Sequence, residues 1–189
     1  MNENNPSVIL VTLRNNFLGM TSFPSSESSY TTPDFKYCST KVFDGFSTCF
    51  RQWRAEKSHC RFLHGYSLTF KIWFVGELDE KDWIWDFGGM KRSTNTIDGM
   101  SPQDWLKYMF DHTLLIAEDD PHLEDFRMLA DRKLAQLRVL PSVSAEKFAE
   151  LIFVKMDEFV YKETGGRARV KQVDVREHDK NSAIAMAVE

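Results

Sequence analysis

The chain has 189 residues, 42% of them apolar, which suits one globular domain with a real core. Its formal net charge of −4 offers no electrostatic case for nucleic acid as a partner. No run reaches the roughly 18 apolar residues of a membrane span, so no membrane partner is expected either.

The short apolar patch Val8–Leu13 has no basic lead-in, so no signal peptide is expected. Residues 1–36, with "TSFPSSESSYTTPDF", are rich in Ser, Thr and Pro and read as a tail or extended arm. The compact domain is placed at 37–189. Its three cysteines, Cys38, Cys49 and Cys60, are odd in number and widely spaced, with no CxxC. Free thiols and a cytoplasmic protein follow.

Strand signals come first. "STKVFDGFSTCF" (39–50) is β-branched and aromatic. In "SLTFKIWFVGEL" (67–78), Leu68, Phe70, Ile72 and Phe74 alternate with Thr69, Lys71, Trp73 and Val75, so both faces carry bulk. "KDWIWDF" (81–87) is expected as its hairpin partner, turning through "GELDEK". A helix is predicted from Ser101, with Ser101 as cap, Pro102 in the first position and Asp104 closing a capping box. A second begins at Ser144, with Glu146 in its first turn and an apolar stripe of Phe148, Ile152, Met156 and Phe159; Gly165–Gly166 ends it. A last strand, "ARVKQVDVRE" (168–177), alternates through Val170, then slips by one to Val173 and Val175. The expected class is α+β, with antiparallel strands and helices on one face.

Four places bear chemistry. Cys60 is flanked by Lys57, His59 and Arg61, a positive field that favours a thiolate, although a lone loop cysteine is more often inert. His64 lies four residues on, but Tyr66 stands where a same-face second imidazole would complete a metal pair. Asp111 precedes His112 and fits either an acid–base relay or a loop carboxylate that caps the backbone. Glu177 and Asp179, near a strand end, either accept from a ligand's N–H groups or face water.

The order of these signals is more specific than any one of them. "CRFLHGYSL", "WIWDFGGMK", "FDHTLLI", "SVSAEKFAELIF" and "VREHDKNSA" resemble, in sequence order, the landmarks of the 6-pyruvoyl-tetrahydropterin and 6-carboxy-tetrahydropterin synthase family, from about Val42 to Ala185. The resemblance implies a tunnelling fold: a four-stranded antiparallel sheet, two helices on one face, and subunits closing into a barrel as trimers or hexamers. It implies a lyase acting on the pterin 7,8-dihydroneopterin triphosphate, with the product (6-pyruvoyl or 6-carboxy) and its pathway, 7-deazaguanine and queuosine supply included, left open. Cys60 matches the proton-moving thiol, Asp111 and His112 the Asp–His pair, and Glu177 the carboxylate that holds the pterin. His64 matches one zinc ligand. The second is replaced by Tyr66, and the upstream one falls on Phe50 or Cys49. Tight tri-histidine zinc binding is therefore expected to be lost, with a Cys49–His64–Tyr66 site as the one remaining metal arrangement, and no organic cofactor is expected. An oligomeric pterin- or purine-binding protein of the same fold is the alternative, and a thiol-dependent redox or transferase protein a distant third.

Overall fold

A computed structural model describes residues 8–10 and 35–187. The expected arm, residues 1–36, lies outside the described residues apart from Val8–Leu10, Phe35 and Lys36. One sheet has the strand order β1 (Val8–Leu10), β5 (Leu137–Leu140), β4 (Thr113–Ala117), β2 (Cys38–Phe50), β3 (His64–Gly76), β6 (Ala168–His178), β7 (Asn181–Met186). The four strands from β2 to β7 pair antiparallel, whereas β4, β5 and β1 extend the β2 side in parallel.

Two expectations are corrected here. The sheet is mixed and larger than four antiparallel strands. Four helices pack on it, α1 (Gly89–Arg92), α2 (Pro102–Phe110), α3 (Leu123–Asp131) and α4 (Ala145–Glu163), not two on one face. On fully buried β4 the side chains split between two cores. Leu115 and Ala117 join the larger core with α2 and α4, while Leu114 and Ile116 meet Phe126 and Ala130 of α3 on the other face. Both faces of a parallel strand must be covered, and α3 supplies the second cover.

The helix ends follow their sequence signals. Ser101 Oγ accepts from the Asp104 N–H at 3.2 Å, with Pro102 at the first helical position. Ser144 Oγ accepts from Lys147 N–H at 3.3 Å. Gly165 and Gly166, at φ of +61° and +87°, end α4 in a conformation that costs glycine little. Phe148, Ile152, Met156 and Phe159 are all buried, each contributing about 1.5–3 kcal/mol.

Segment 81–87 does not form the expected hairpin strand. The neighbours of β3 are β2 and β6. Asp79 Oδ1 instead accepts from Lys81 N–H at 2.9 Å and Trp83 N–H at 3.0 Å, a side-chain turn that competes with strand pairing. Ile84 and Trp85 then tuck into the core as a loop. The β6 slip is a bulge at Lys171, between Gln172 opposite Trp73 and Val170 opposite Phe74. Beyond it the strand turns back as β7, a hairpin arm the sequence reading left out. No helix among the described residues is long and apolar enough to cross a membrane.

Candidate functional site

Cys60 sits in a single 3-10 turn, His59–Arg61, that Ser58 caps through its hydroxyl. The turn is tied back to the end of β2, where Gln52 N–H donates to Cys60 O at 2.8 Å. Cys60 is exposed and free, as are the thiols of exposed Cys38 and half-buried Cys49.

The loop that carries Cys60 is anchored by residues the sequence reading passed over. Arg51 grips Asp120 with two bonds, Nε–Oδ2 at 2.8 Å and NH2–Oδ1 at 2.6 Å. Trp53 Nε1 and the Arg54 guanidinium both donate to Asp119, and Gln52 Nε2 reaches Val143 O at 2.9 Å. The Asp119–Asp120 pair after β4 is thus a docking post for the thiol loop; the paired acids facing Arg51 and Arg54 in sequence were its only outward signal. Burial pushes the Asp120 carboxyl up, but Arg51 and the His122 N–H outweigh it and hold the group below its ordinary range.

The Asp120 side chain is 1% exposed and that of Arg51 17%, so removing one partner strands a buried charge. Asp120→Ala is expected to cost about 3–5 kcal/mol in denaturant unfolding. Asp120's contribution is present above the unfolded carboxylate value of about 3.9 and is lost as pH falls through the depressed folded value. A variant as stable as wild type at pH 7 would remove Asp120 as the anchor.

His64 opens β3. Its Nδ1 lies 2.8 Å from Phe62 O, and a carbonyl only accepts, so Nδ1 carries the proton. Nε2 is then the acceptor and takes the Tyr66 hydroxyl proton in a short hydrogen bond. Tyr66 is held flat on Phe50, with ring centroids 4.0 Å apart, and Phe50 meets Phe148 of α4 edge-on at 5.1 Å. A run of stacked rings therefore joins the core to the imidazole. Burial first, then the charges of Glu177, Cys60 and Cys49, push the Tyr66 phenol up to about 12.

Glu177 lies near the end of β6. Burial pushes its carboxyl up, His178 and His64 draw it down, and Glu146 from the first turn of α4 pushes it up again. Tyr66 thus lies in the field of Glu177 and of both Cys60 and Cys49, and Glu177 in that of His64. Glu146 is a second acid acting on Glu177, read from sequence only as a helix-start residue.

Cys49 is placed elsewhere. The register pairs Phe50 with His64 and Thr48 with Tyr66, but Cys49 with Gly65. Alternation then turns Cys49 to the opposite face from His64 and Tyr66. There it packs against the second core, and burial pushes its thiol up. A zinc site needs a free imidazole lone pair and three or four donors aimed at one point. Here the His64 lone pair is engaged, the phenol is held in its protonated form, and Cys49 is on the far face. Among the described residues no three His, Cys, Asp or Glu groups gather as a metal site. These donors do not fit zinc.

Asp111 and His112 form a true dyad, with Nδ1 and Oδ1 2.9 Å apart. Asp111 ends α2, and His112 follows at φ +56°. Ser47 fixes both: its N–H donates to Asp111 Oδ1 at 3.3 Å, and its carbonyl accepts from His112 N–H at 2.6 Å. Buried Arg138 of β5 holds the last turn of α2 by donating to Tyr108 O at 2.9 Å. The dyad is thus tied to Ser47 within β2, and the Cys60 turn to Gln52, two residues past the end of that strand. Among the described residues no hydrogen bond or ion pair links the dyad to Cys60, His64, Tyr66 or Glu177.

The family model of 6-pyruvoyl tetrahydropterin synthase matches residues 39–187. Comparison with curated proteins yields no match. Solved structures share the fold at low identity. An uncharacterized protein, WS1659, from Wolinella succinogenes is 19% identical with a TM-score of 0.61, over 80% of this chain and 98% of that one. The 6-pyruvoyl tetrahydropterin synthase of Caenorhabditis elegans is 17% identical with a TM-score of 0.53, over 80% and 96%. That of Plasmodium falciparum is 14% identical with a TM-score of 0.54, over 80% and 99%. With the model match spanning the whole sheet from β2 to β7, the chain belongs to the 6-pyruvoyl tetrahydropterin synthase family.

Proposed function

We propose that this chain is a pterin-processing lyase acting on 7,8-dihydroneopterin triphosphate, with each site shared between two subunits. The observation that supports it is the His64–Tyr66 hydrogen bond at the start of β3, with β6 pairing Arg176 to Thr69 just before Glu177 and the Cys60 turn tied back just past Phe50, which pairs with His64. Glu177 accepts hydrogen bonds from the ring N–H and amino group of the pterin, a bidentate charge-assisted grip. Cys60 moves protons at the side-chain carbons next to a carbonyl. The dyad completes the relay, with Asp111 holding His112 Nδ1–H so that Nε2 faces the reaction.

A shared site accords with the dyad having, among the described residues, no hydrogen bond or ion pair to Cys60. Two strand edges support the assembly. Among the described residues β4 pairs with β2 at Thr48–Phe50 and Ser47 is taken by Asp111 and His112, leaving the edge from Cys38 to Phe46 open, and β7 is the outer strand on the other side. Joining one subunit's β7 to the next one's β2 closes a ring, as a trimer or stacked hexamer, and removes both open edges. The interior-facing side would carry Lys71 and Trp73, half-buried in the single protomer, and the exposed Arg176.

The test is turnover of 7,8-dihydroneopterin triphosphate with product identification. Product formation that Cys60→Ala abolishes supports the lyase. Tight pterin binding with no product supports the alternative, a pterin- or purine-binding oligomer, and overturns the enzyme. Because the donors at His64 do not fit zinc, exhaustive chelation is expected to leave both the melting temperature and turnover unchanged. A chelator-induced loss that zinc restores would show the reading of this position to be wrong.

A further inference from the structure

A cavity of about 290 Å³ lies where the β2 bulge faces α1 and α2, bordered by Asp111 of the dyad. Three lysines line it from three separate elements: Lys41 of β2, Lys91 in the last turn of α1, and Lys107 of α2. Gln103 stands one turn before Lys107, and residues four apart share a helix face. Among the described residues none of these lysines has an acidic partner, whereas Lys147, Lys155 and Lys162 do. Like charges around a concavity repel one another, and the low-dielectric walls strengthen their common field.

The floor is backbone. The register breaks between Phe43 and Phe46, so Asp44 and Gly45 bulge out of the ladder with β3. Gly45 has φ +79°, and a Cβ there would meet nothing of its own protomer within 4 Å. Two carboxylates also border the cavity. Asp44 is exposed, and Asp111 already accepts from Ser47 N–H and His112. Three separated ammonium groups suit an extended, multiply charged anion better than a single carboxylate. The volume falls short of a whole pterin nucleotide analogue and suits a phosphate chain.

We propose that this cavity is a polyphosphate cradle, holding the triphosphate end of the substrate while the reacting side chain lies at Asp111–His112. Its assignment to the substrate rests on the lyase reading above; the anion site itself does not.

Inorganic tripolyphosphate, titrated calorimetrically into the full chain at low and high salt, tests it. Saturable binding is expected, weakened by salt and by roughly tenfold or more in Lys91→Ala/Lys107→Ala. Both lysines are exposed, so the variant keeps its fold, which its melting temperature verifies. Lys171→Ala, an exposed lysine in the β6 bulge, serves as the control and should bind as wild type does. No saturable binding, or binding equal in the double variant, overturns the cradle. Tripolyphosphate binding that needs Lys91 and Lys107 without turnover of 7,8-dihydroneopterin triphosphate overturns the lyase and leaves the cradle standing. Turnover without tripolyphosphate binding does the reverse.

Discussion

Co-assembling two inactive variants, Cys60→Ala and His112→Ala, is expected to restore about one quarter of wild-type turnover. Each variant alone should lose roughly 10²–10⁴-fold, the usual worth of a positioned proton-transfer group. The reason is topological. Ser47 holds the His112 backbone within β2 and Gln52 holds the Cys60 backbone two residues past its end, and among the described residues no hydrogen bond or ion pair links imidazole to thiol. In the proposed ring, closed through β2 and β7, the dyad of one subunit would lie toward the thiol and carboxylate of the next. In a random mixture each site then draws an intact Cys60 half of the time and an intact His112 half of the time. If the mixed assembly stays as inactive as its parents, each site lies within one protomer and the shared-site reading fails.

Glu177→Gln is expected to separate binding from stability. Pterin affinity should fall by roughly 10–100-fold, since a charged acceptor facing two donors is lost. The free protein should become more stable at neutral pH. Burial, joined by the Glu146 charge, raises the folded value of Glu177 above its unfolded value of about 4.3. Stability from a raised group is fully present below the unfolded value and is lost as pH rises through the folded one. At pH 7 the ionised carboxylate is therefore a cost that the amide removes, and the melting temperature should rise by about 1–2 °C. The gain should vanish below pH 4, where both states of the wild type are protonated. Equal pterin binding by wild type and variant would remove Glu177 from the site. A melting temperature that drops at pH 7 would show that the native carboxylate is stabilised, against its raised value.

The legible parts of the fold were those with local causes. Ser101 Oγ accepts from the Asp104 N–H, Pro102 has no N–H to leave orphaned, and the Asp104 carboxylate accepts from the Ser101 hydroxyl, so this helix start needs no distant partner. Strand 64–76 alternates through a long run because one face is core, and the slip at Lys171 appeared as a broken alternation. "LLIA" and "LRVL" were missed for the opposite reason. A short strand buried on both faces has no period to read, and Arg138 interrupts the apolar run of the second. Segment 81–87 misled because its aromatic residues suit a strand, while Asp79 consumes the backbone donors that a ladder needs.

For the candidate site, sequence and the family resemblance proposed the cast: the Cys60 thiol, His64, the Asp111–His112 pair and the late carboxylate Glu177, with Tyr66 standing where a second imidazole was expected. The tertiary structure decided which of them meet. Cys49 and His64 are both suitable donors by chemistry, yet the β2–β3 register turns them to opposite faces. The thiol loop depends on Arg51 and Asp120, far apart along the chain and joined only when β4 lies beside β2. Residue types and local spacing act over a turn or a strand pair, and sequence displays them directly. Which faces and edges come together depends on long-range pairing, whose free energy is shared among many buried contacts and is written at no single position.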